Sequence, residues 1–236
     1  MIKFKIITAY PEMFPGVLGH SIIGNALKEK KWSLEIVDLH KFGIGKRKNI
    51  DDTPFGGGPG MIIRPDVVEK ALYSIIKNSK AKKDLIYMSP SGVPLQQKNL
   101  EILSKKQEII ILCGRFEGVD KRAIEILGFK EISIGDYILS GGEVASQVLV
   151  EGCIRLLPGV IGRSESVLEE SFSSDLLEYP HFTRPKVWKD IKRKEHHVPD
   201  ILLSGNHEKI KEWRKKESLR ITKNKRPDLL QKVIKK

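Results

Sequence analysis

The sequence predicts an α/β fold built on a mainly parallel sheet with helices on both faces. Short apolar runs rich in Ile, Val and Leu recur between Phe4 and Ile134. Amphipathic segments, with apolar residues at positions i, i+3 and i+4, separate these runs. Strands that alternate with helices favour a parallel sheet, because each crossover helix brings the chain back to the same edge.

The elements follow one another in a regular order. The predicted strands are FKIIT, LEIVDL, DLIYM, EIIILC and KEISI. The predicted helices between them are IIGNALKEK, RPDVVEKALYSIIKN, PLQQKNLEILSKK and VDKRAIEILG, which carry Pro or Asp near their starts, as helix N-termini do. The segment GGEVASQVLVEGCIRLLPG predicts a further helix with an almost wholly apolar face, stopped by Pro158 and Gly159.

A change in composition divides the chain near residue 160. The stretch GRSESVLEESFSSDLLEYPHFTRP is rich in Ser and Glu and lacks sheet periodicity, which is typical of a linker. Beyond it, Ile210, Trp213 and Glu217 stand at helical spacing among many basic residues. We therefore expect a first domain over 1–160, a linker over 161–176 and a small basic helical domain over 177–236.

The positive charge is concentrated in the C-terminal fifth of the chain. The formal net charge is +12, and the segment from Lys186 to Lys236 holds 17 Lys and Arg against 7 Asp and Glu, a net charge of +10. Such an asymmetry indicates a polyanionic partner, because each neutralised phosphate releases condensed counterions. A solvated helical surface is the alternative explanation of the same charge.

The two cysteines and the hydropathy pattern favour a soluble cytoplasmic protein. Cys113 and Cys153 lie in apolar runs, which indicates reduced, buried thiols and neither a disulfide framework nor a metal site. No apolar run approaches the roughly 20 residues of a membrane-spanning helix, and the N-terminal residues do not resemble a signal peptide.

Glycine-containing loops follow three consecutive predicted strands. They are YMSPSG, CGRFEGVD and SIGDYILSGGE. If the strands are neighbours, the loops meet at the carboxyl edge of the sheet, where open α/β sheets bind ligands. Such loops offer backbone N–H and C=O groups with little side-chain bulk, which suits a flat heterocycle with a polar rim. Three unrelated glycine turns remain an alternative.

The loop KRKNIDDTPFGGGPGMIIRP has two readings as well. It lacks the G-K-[S/T] ending of a phosphate-binding P-loop, so a nucleotide triphosphate is disfavoured. Asp51 and Asp52 either face a substrate that the glycines allow to come close, or belong to a surface turn cluster. No GxGxxG follows the first strand, which disfavours a dinucleotide site.

Six motifs together resemble the TrmD family, the bacterial tRNA (guanine-N1)-methyltransferases of the SPOUT class. They are PFGGGPGM, CGRFEGVD, SIGDYILSGGE, RLLPGV, YPHFTRP and LLSGNHEKIKEWR, in that order across nearly the whole chain. The resemblance implies methyl transfer from S-adenosyl-L-methionine to N1 of the guanosine just 3′ of the anticodon (guanosine 37). It also implies a homodimer, a trefoil-knotted sheet domain, and a tRNA anticodon stem-loop as partner, with no membrane and no DNA expected.

The resemblance also implies the cofactor pocket, which would comprise the three glycine-containing loops. Backbone groups would hold most of the cofactor. The residues that match the family's pocket are Tyr87, Met88, Ser89, Pro90, Gly114, Phe116, Glu117, Ser133, Ile134, Gly135, Asp136, Tyr137, Ile138, Leu139, Gly141 and Gly142. Asp51 and Gly60 match positions beside the target base and its 5′ neighbour.

Methylation of guanine N1 requires loss of its proton and stabilisation of negative charge on O6. Arg155 matches the family's cation. Glu170 stands where the family has its general base, an aspartate, and Glu169 and Asp175 are the nearby carboxylates that would replace it. The sequence shows no metal-ligand spacing, so we expect no metal ligands in the chain.

Three further positions depart from the family pattern: Phe116 replaces a tyrosine, Ala145 a proline and Glu151 an aspartate. The change from Asp to Glu at Glu170 motivates one alternative, a SPOUT-like tRNA-binding protein with impaired catalysis. A nucleotidase that uses GGGPG is the other. The basic segments KIKEWRKKESLR and TKNKR would contact tRNA phosphates while the target base leaves its stack.

Overall fold

The structure is a computed structural model that describes residues 1–77, 83–161, 171–172 and 176–234. The chain divides into two compact units, residues 1–162 and 163–236.

The first unit contains a five-stranded sheet in which every neighbouring pair of strands is parallel. Its strands are β1 (Ile2–Thr8), β2 (Trp32–Asp38), β5 (Lys83–Pro94), β6 (Glu108–Cys113) and β7 (Lys130–Ser133), in the spatial order β2-β1-β6-β5-β7. The prediction of five strands in a mainly parallel sheet is confirmed. Two short strands, β3 (Asp51–Asp52) and β4 (Ile62–Ile63), form a separate antiparallel pair.

Helices cover both faces of this sheet, as predicted. They are α1 (Ser21–Lys28), α2 (Pro65–Ile76), α3 (Gln97–Leu103), α4 (Lys121–Leu127) and α5 (Gly142–Ile154). Local residues set their ends: Pro65 occupies the first turn of α2, and the Asp120 side chain caps α4 by accepting a bond from the Arg122 N–H. Gly128, at φ +78°, ends α4.

Helix α5 ends earlier than predicted. It was expected to continue to Pro158 and Gly159, but its last residue is Ile154. Leu156 and Leu157 donate instead to the carbonyls three residues before them, which tightens the chain into turns ahead of the proline.

Two hydrophobic cores lie on the two faces of the sheet. One packs α1, α3 and α5 against the strands, and Phe4 and Trp32 meet edge to face at its centre. The other packs α2 and α4 against the opposite side chains of the same strands. Alternation of side chains along each strand explains the division, since Ile6 and Ile7 belong to different cores.

The second unit contains a short antiparallel pair and two helices among its described residues. The strands are β8 (Val187–Lys189) and β9 (Glu195–His197), and the helices are α6 (His207–Lys225) and α7 (Pro227–Ile234). The Asn206 side chain caps α6 by accepting from the Lys209 N–H. The predicted helix around Trp213 is confirmed, whereas β8 and β9 were missed because three-residue exposed strands carry no apolar alternation.

A cavity at the carboxyl edge of the sheet

The three predicted glycine loops lie side by side. Strand β5 lies between β6 and β7, so the loops that leave the carboxyl ends of these strands share one edge. The Gly142 N–H donates to the Gly114 carbonyl over 2.9 Å, which joins the loop after β7 to the loop after β6. Ile132 pairs with both Met88 and Val93, so residues 89–92 are looped out of the β5 ladder toward the same edge.

These loops enclose a cavity of about 460 Å³. Fifteen of the sixteen residues predicted to bind the cofactor line it, and Asp136 is not among the lining residues. The fifteen are Tyr87, Met88, Ser89, Pro90, Gly114, Phe116, Glu117, Ser133, Ile134, Gly135, Tyr137, Ile138, Leu139, Gly141 and Gly142. A single pocket was expected only if the three strands are neighbours, and they are.

Glycines allow the cavity wall to form from closely packed backbone. A Cβ added to Gly142 would lie 2.9 Å from the Cα of Cys113, and one added to Gly141 would lie 2.4 Å from Arg115 Nε. A Cβ on Gly114 would lie 2.8 Å from the Tyr87 hydroxyl. The Gly142 contact is with backbone, so the start of α5 can approach the end of β6 this closely only because residue 142 is a glycine. At Gly141 and Gly114 the neighbours are the side chains of Arg115 and Tyr87, which would have to move to admit a Cβ.

A buried ion pair fastens the same two loops. Glu143, in the first turn of α5, is fully buried, and its Oε2 lies 2.9 Å from Arg115 Nε. The Thr8 hydroxyl donates to the other carboxylate oxygen over 2.7 Å. The Arg115 guanidinium lies over the ring of Tyr10 and donates to the Ser140 carbonyl. The N-terminal end of α5 also favours the negative charge of Glu143.

A second polar network lies on the other side of the cavity. Glu131 accepts from Lys121 Nζ over 2.7 Å and from the Ser91 hydroxyl over 2.9 Å, and Ser91 lies 2.8 Å from the hydroxyl of Ser89. The hydrogen bond from Lys121 is the main reason that the pKa of Glu131 lies below its ordinary value. This carboxylate is therefore a charged acceptor on the cavity wall at neutral pH.

Ten lining residues are absent from the set that the family resemblance assigned to the cofactor. They are Ser91, Arg115, Gly118, Val119, Lys121, Ile124, Glu131, Ile132, Ser140 and Ala145. Several stand inside or next to the quoted glycine loops, so their position was a usable signal. Lys121, Ile124 and Glu131 lie on α4 and β7, and only the tertiary structure brings them to the cavity.

The GGGPG loop adjoins the cavity wall. It connects β3 to β4, and the Glu117 N–H donates to the Met61 carbonyl over 3.0 Å. Gly60, at φ +86°, lies so close to Glu117 that an added Cβ would meet its side chain. Asp51 pairs with Ile63 in the same hairpin. Since α2 begins only at Pro65, the loop does not lead directly into a helix N-terminus as a P-loop does.

The structure does not bring Arg155 to this cavity within one chain. Arg155 follows the last residue of α5, whereas the cavity adjoins the first residue of that helix, Gly142. A helix of this length separates its ends by about 20 Å. Glu170, Glu169 and Asp175 lie outside the described residues.

Neither cysteine lies in a reactive environment. Cys113 and Cys153 are buried free thiols, and burial raises the pKa of both, that of Cys153 to about 12. Within the described ranges, no group of three or more His, Cys, Asp or Glu side chains is arranged to hold a metal ion. No helix in the described part of the chain is long and apolar enough to cross a membrane.

A cavity lined by backbone groups beyond the carboxyl ends of parallel strands defines an α/β protein with a small-molecule site. Comparison with known families narrows this class. The model of the family described as tRNA (Guanine-1)-methyltransferase TrmD matches residues 2–232. The chain belongs to this family.

Similar proteins extend over nearly the whole chain. A protein of Ehrlichia ruminantium (strain Gardel) is 51% identical over 230 residues, which are 97% of this chain and 95% of that protein. Proteins of Ruegeria pomeroyi and Rhodospirillum rubrum are each 47% identical, covering 96% and 97% of this chain and 91% and 92% of their own lengths. All three are named tRNA (guanine-N(1)-)-methyltransferase.

Proposed function

We propose that this protein transfers a methyl group from S-adenosyl-L-methionine to N1 of the guanosine just 3′ of the anticodon in tRNA. The family membership over residues 2–232 carries this proposal. The cavity at the predicted loops supports it, because a family match alone would also fit a protein that had lost its cofactor site. We place the activity in the cytoplasm, where tRNA matures in bacteria.

The cavity suits S-adenosylmethionine in size and chemistry. Its volume, about 460 Å³, falls within the range of roughly 300–1,000 Å³ that small-molecule sites occupy. Glycine turns present main-chain donors and acceptors, and Tyr87, Phe116 and Tyr137 add aromatic surface. The bound cofactor supplies the methyl group as an electrophile.

Two side chains would act on the target base. The Glu170 carboxylate takes the proton from guanine N1, and the Arg155 guanidinium stabilises the negative charge that develops on O6. Glutamate carries the same carboxyl group as the family's aspartate on a chain one methylene longer. Asp51 and Gly60 would lie beside the base and its 5′ neighbour, and Gly60 lies next to Glu117 of the cavity wall.

The position of Arg155 supports a homodimer. If both Arg155 and the cavity act on one base, and they lie about 20 Å apart along α5, a second chain must supply one of them. Exposed apolar side chains offer the surface for it: Val144 and Val148 are 49% and 46% exposed on one face of α5, and Val17 is 63% exposed. Such residues favour burial against another chain.

The finer architecture follows the same family. We propose that the chain of the parallel-sheet domain forms a SPOUT-type trefoil knot. The hydrogen bond between the loops after β6 and β7 supports this, because it places the two loops side by side. Residues 1–160 would form the methyltransferase domain, residues 161–176 a linker that delivers Glu170, and residues 177–236 a helical tRNA-binding domain. The lysines and arginines of α6 would then contact phosphates of the anticodon stem-loop.

Radiolabelled methyl transfer tests the proposal. An unmodified tRNA transcript should accept label, and a transcript with adenosine in place of the target guanosine should not. Glu170→Asp should retain transfer, whereas Glu170→Ala should abolish it while leaving S-adenosylhomocysteine binding intact. Wild-type protein that binds both tRNA and S-adenosylhomocysteine without transferring label would instead be the impaired relative.

A further inference from the structure

A short basic hairpin stands out in the second unit. Its strands β8 and β9 pair from Val187 with His197 to Lys189 with Glu195, and five residues, Asp190 to Lys194, connect them. The basic hairpin, residues 187–197, belongs to neither of the two basic segments that the sequence assigned to tRNA. It lies within residues 177–236, the proposed tRNA-binding domain, but no role has been given to its own side chains.

One carboxylate, that of Asp190, builds the turn. Its Oδ1 accepts from the N–H groups of both Lys192 and Lys194, each over 2.9 Å, and its Oδ2 lies 3.1 Å from the His196 ring. These hydrogen bonds lower the pKa of Asp190, and the bond to His196 has the largest effect. The only acidic group within the turn is therefore turned inward to the backbone and His196.

The tip carries three cations against the single carboxylate of Asp190, which leaves it with a net positive charge. Lys192, Arg193 and Lys194 are exposed, and none of the three forms an ion pair within the described part of the chain. Elsewhere in this unit, several cations are neutralised locally: Arg220 pairs with Glu217 and Arg226 with Asp228, both over 2.7 Å. The tip differs because its carboxylate serves the turn.

The hairpin is also held in shape by contacts that leave its surface open. The Trp188 and His196 rings lie 5.2 Å apart across the strands at an interplanar angle of 31°, and Trp188 is still 59% exposed. Lys189 pairs with Glu195 on the neighbouring rung. A rigid turn holds the three cations near one another at little entropic cost on binding.

We propose that the tip of the basic hairpin, Lys192, Arg193 and Lys194, binds phosphate groups of the tRNA substrate outside the anticodon nucleotides that enter the cavity. The inference rests on the proposed function, which supplies a polyanion as the substrate. Charge complementarity favours RNA as the partner, because three cations on one turn, without ion-pair partners among the described residues, can contact successive phosphates. Such contacts would not depend on the base sequence. The hairpin would add to tRNA affinity and leave the cofactor site untouched.

A neutralised tip provides the test. In Lys192→Gln/Arg193→Asn/Lys194→Gln the backbone bonds to Asp190 remain available, and Asn tolerates the positive φ of 63° at position 193. The matched control, Lys28→Gln/Lys70→Gln/Lys98→Gln, removes the same charge from exposed positions on α1, α2 and α3. The dissociation constant for a tRNA transcript is measured for each protein from about 50 to 200 mM salt.

The tip variant should bind tRNA more weakly at low salt. The plot of log association constant against log salt concentration should become shallower, with a slope about 2 smaller in magnitude, as expected for three lost phosphate contacts. The control should keep the wild-type slope, and both variants should bind S-adenosylhomocysteine as the wild type does. A tip variant with the wild-type slope, or a control that loses as much as the tip variant, would overturn the inference. Wild-type protein that does not bind tRNA at all would instead refute the proposed function.

Discussion

Arg115 Nε lies 2.9 Å from Glu143 Oε2, and this ion pair connects the loop after β6 to the first turn of α5. Glu143 is fully buried, whereas the Arg115 side chain is 15% exposed and lines the cavity. The carboxylate is thus placed to hold Arg115, and through it the Ser140 carbonyl, in the position that forms the cavity wall.

Removal of this carboxylate should destabilise the protein and loosen the cavity. We expect Glu143→Ala to lower the free energy of unfolding by about 3 kcal/mol, because it leaves Arg115 and Thr8 without their buried partner. Affinity for S-adenosylhomocysteine should fall with it. Urea unfolding and calorimetric titration measure the two effects. Glu69→Ala, an exposed change on α2, should stay within about 0.5 kcal/mol of the wild type, and equal stability of Glu143→Ala would contradict the role assigned to it.

The close approach of the two loops predicts a sharp effect of a single methyl group. In Gly142→Ala the added Cβ would lie 2.9 Å from the backbone of Cys113, so the loops must separate. We expect at least a tenfold loss of affinity for S-adenosylhomocysteine. Gly45→Ala is the control, since its Cβ meets nothing within 4 Å and only its positive φ is strained, at a cost of about 1 kcal/mol. Unchanged cofactor affinity in Gly142→Ala would show that the wall is not this tightly packed.

We expect Arg155 to act across the interface of the proposed homodimer. Alone, Arg155→Ala should reduce kcat by about 10²- to 10³-fold, as the loss of an oxyanion-stabilising group does. Mixing it with a variant whose cofactor cavity is destroyed should restore roughly a quarter of wild-type activity. Half of the reassociated dimers then pair an intact cavity with an intact Arg155 from the other chain, and each such dimer has one working site. If no activity returns after mixing, Arg155 and the cavity act within one chain.

The buried thiol of Cys153 should make stability depend on pH in the alkaline range. Its pKa is raised from 9.0 to about 12 by burial. Above pH 9 the unfolded chain loses this proton while the folded chain keeps it, so the stabilising contribution is complete below pH 9 and disappears as the pH rises toward 12. Relative to Cys153→Ala, the wild type should lose about 1.4 kcal/mol per pH unit in this range. Parallel stability curves for the two proteins would rule this out.

The sheet and its helices were predictable because hydrophobic periodicity and Pro, Asp and Gly signals agree locally. Runs such as EIIILC are buried at every position, and Pro65 begins α2 where expected. Strand order was not predictable from periodicity. It depends on β6 inserting between β1 and β5, which is a contact between distant segments.

The site was predictable to the extent that it is made of contiguous loops. The glycine turns indicated the three loops, and the family resemblance supplied the fifteen lining residues within them, but Lys121 and Glu131 stand on regular elements whose local sequence carries no sign of a cavity. The early end of α5 was missed because the expectation relied on Pro158 alone. Tight turns before the proline depend on packing of Leu156 and Leu157, which are partly buried.

The backbone character of the cavity wall bears on how such a protein can escape an inhibitor. Peptide groups are supplied by every amino acid, so a compound that copies contacts to the main chain of residues 114 and 141–142 cannot be evaded by trimming one side chain. Resistance there would require moving the chain itself, and an added Cβ at Gly142 would push apart the backbone segments that form the wall. Changes that weaken an inhibitor are therefore expected first at exposed side chains of the cavity, such as Phe116 and Ile138, where a substitution does not disturb the packed backbone.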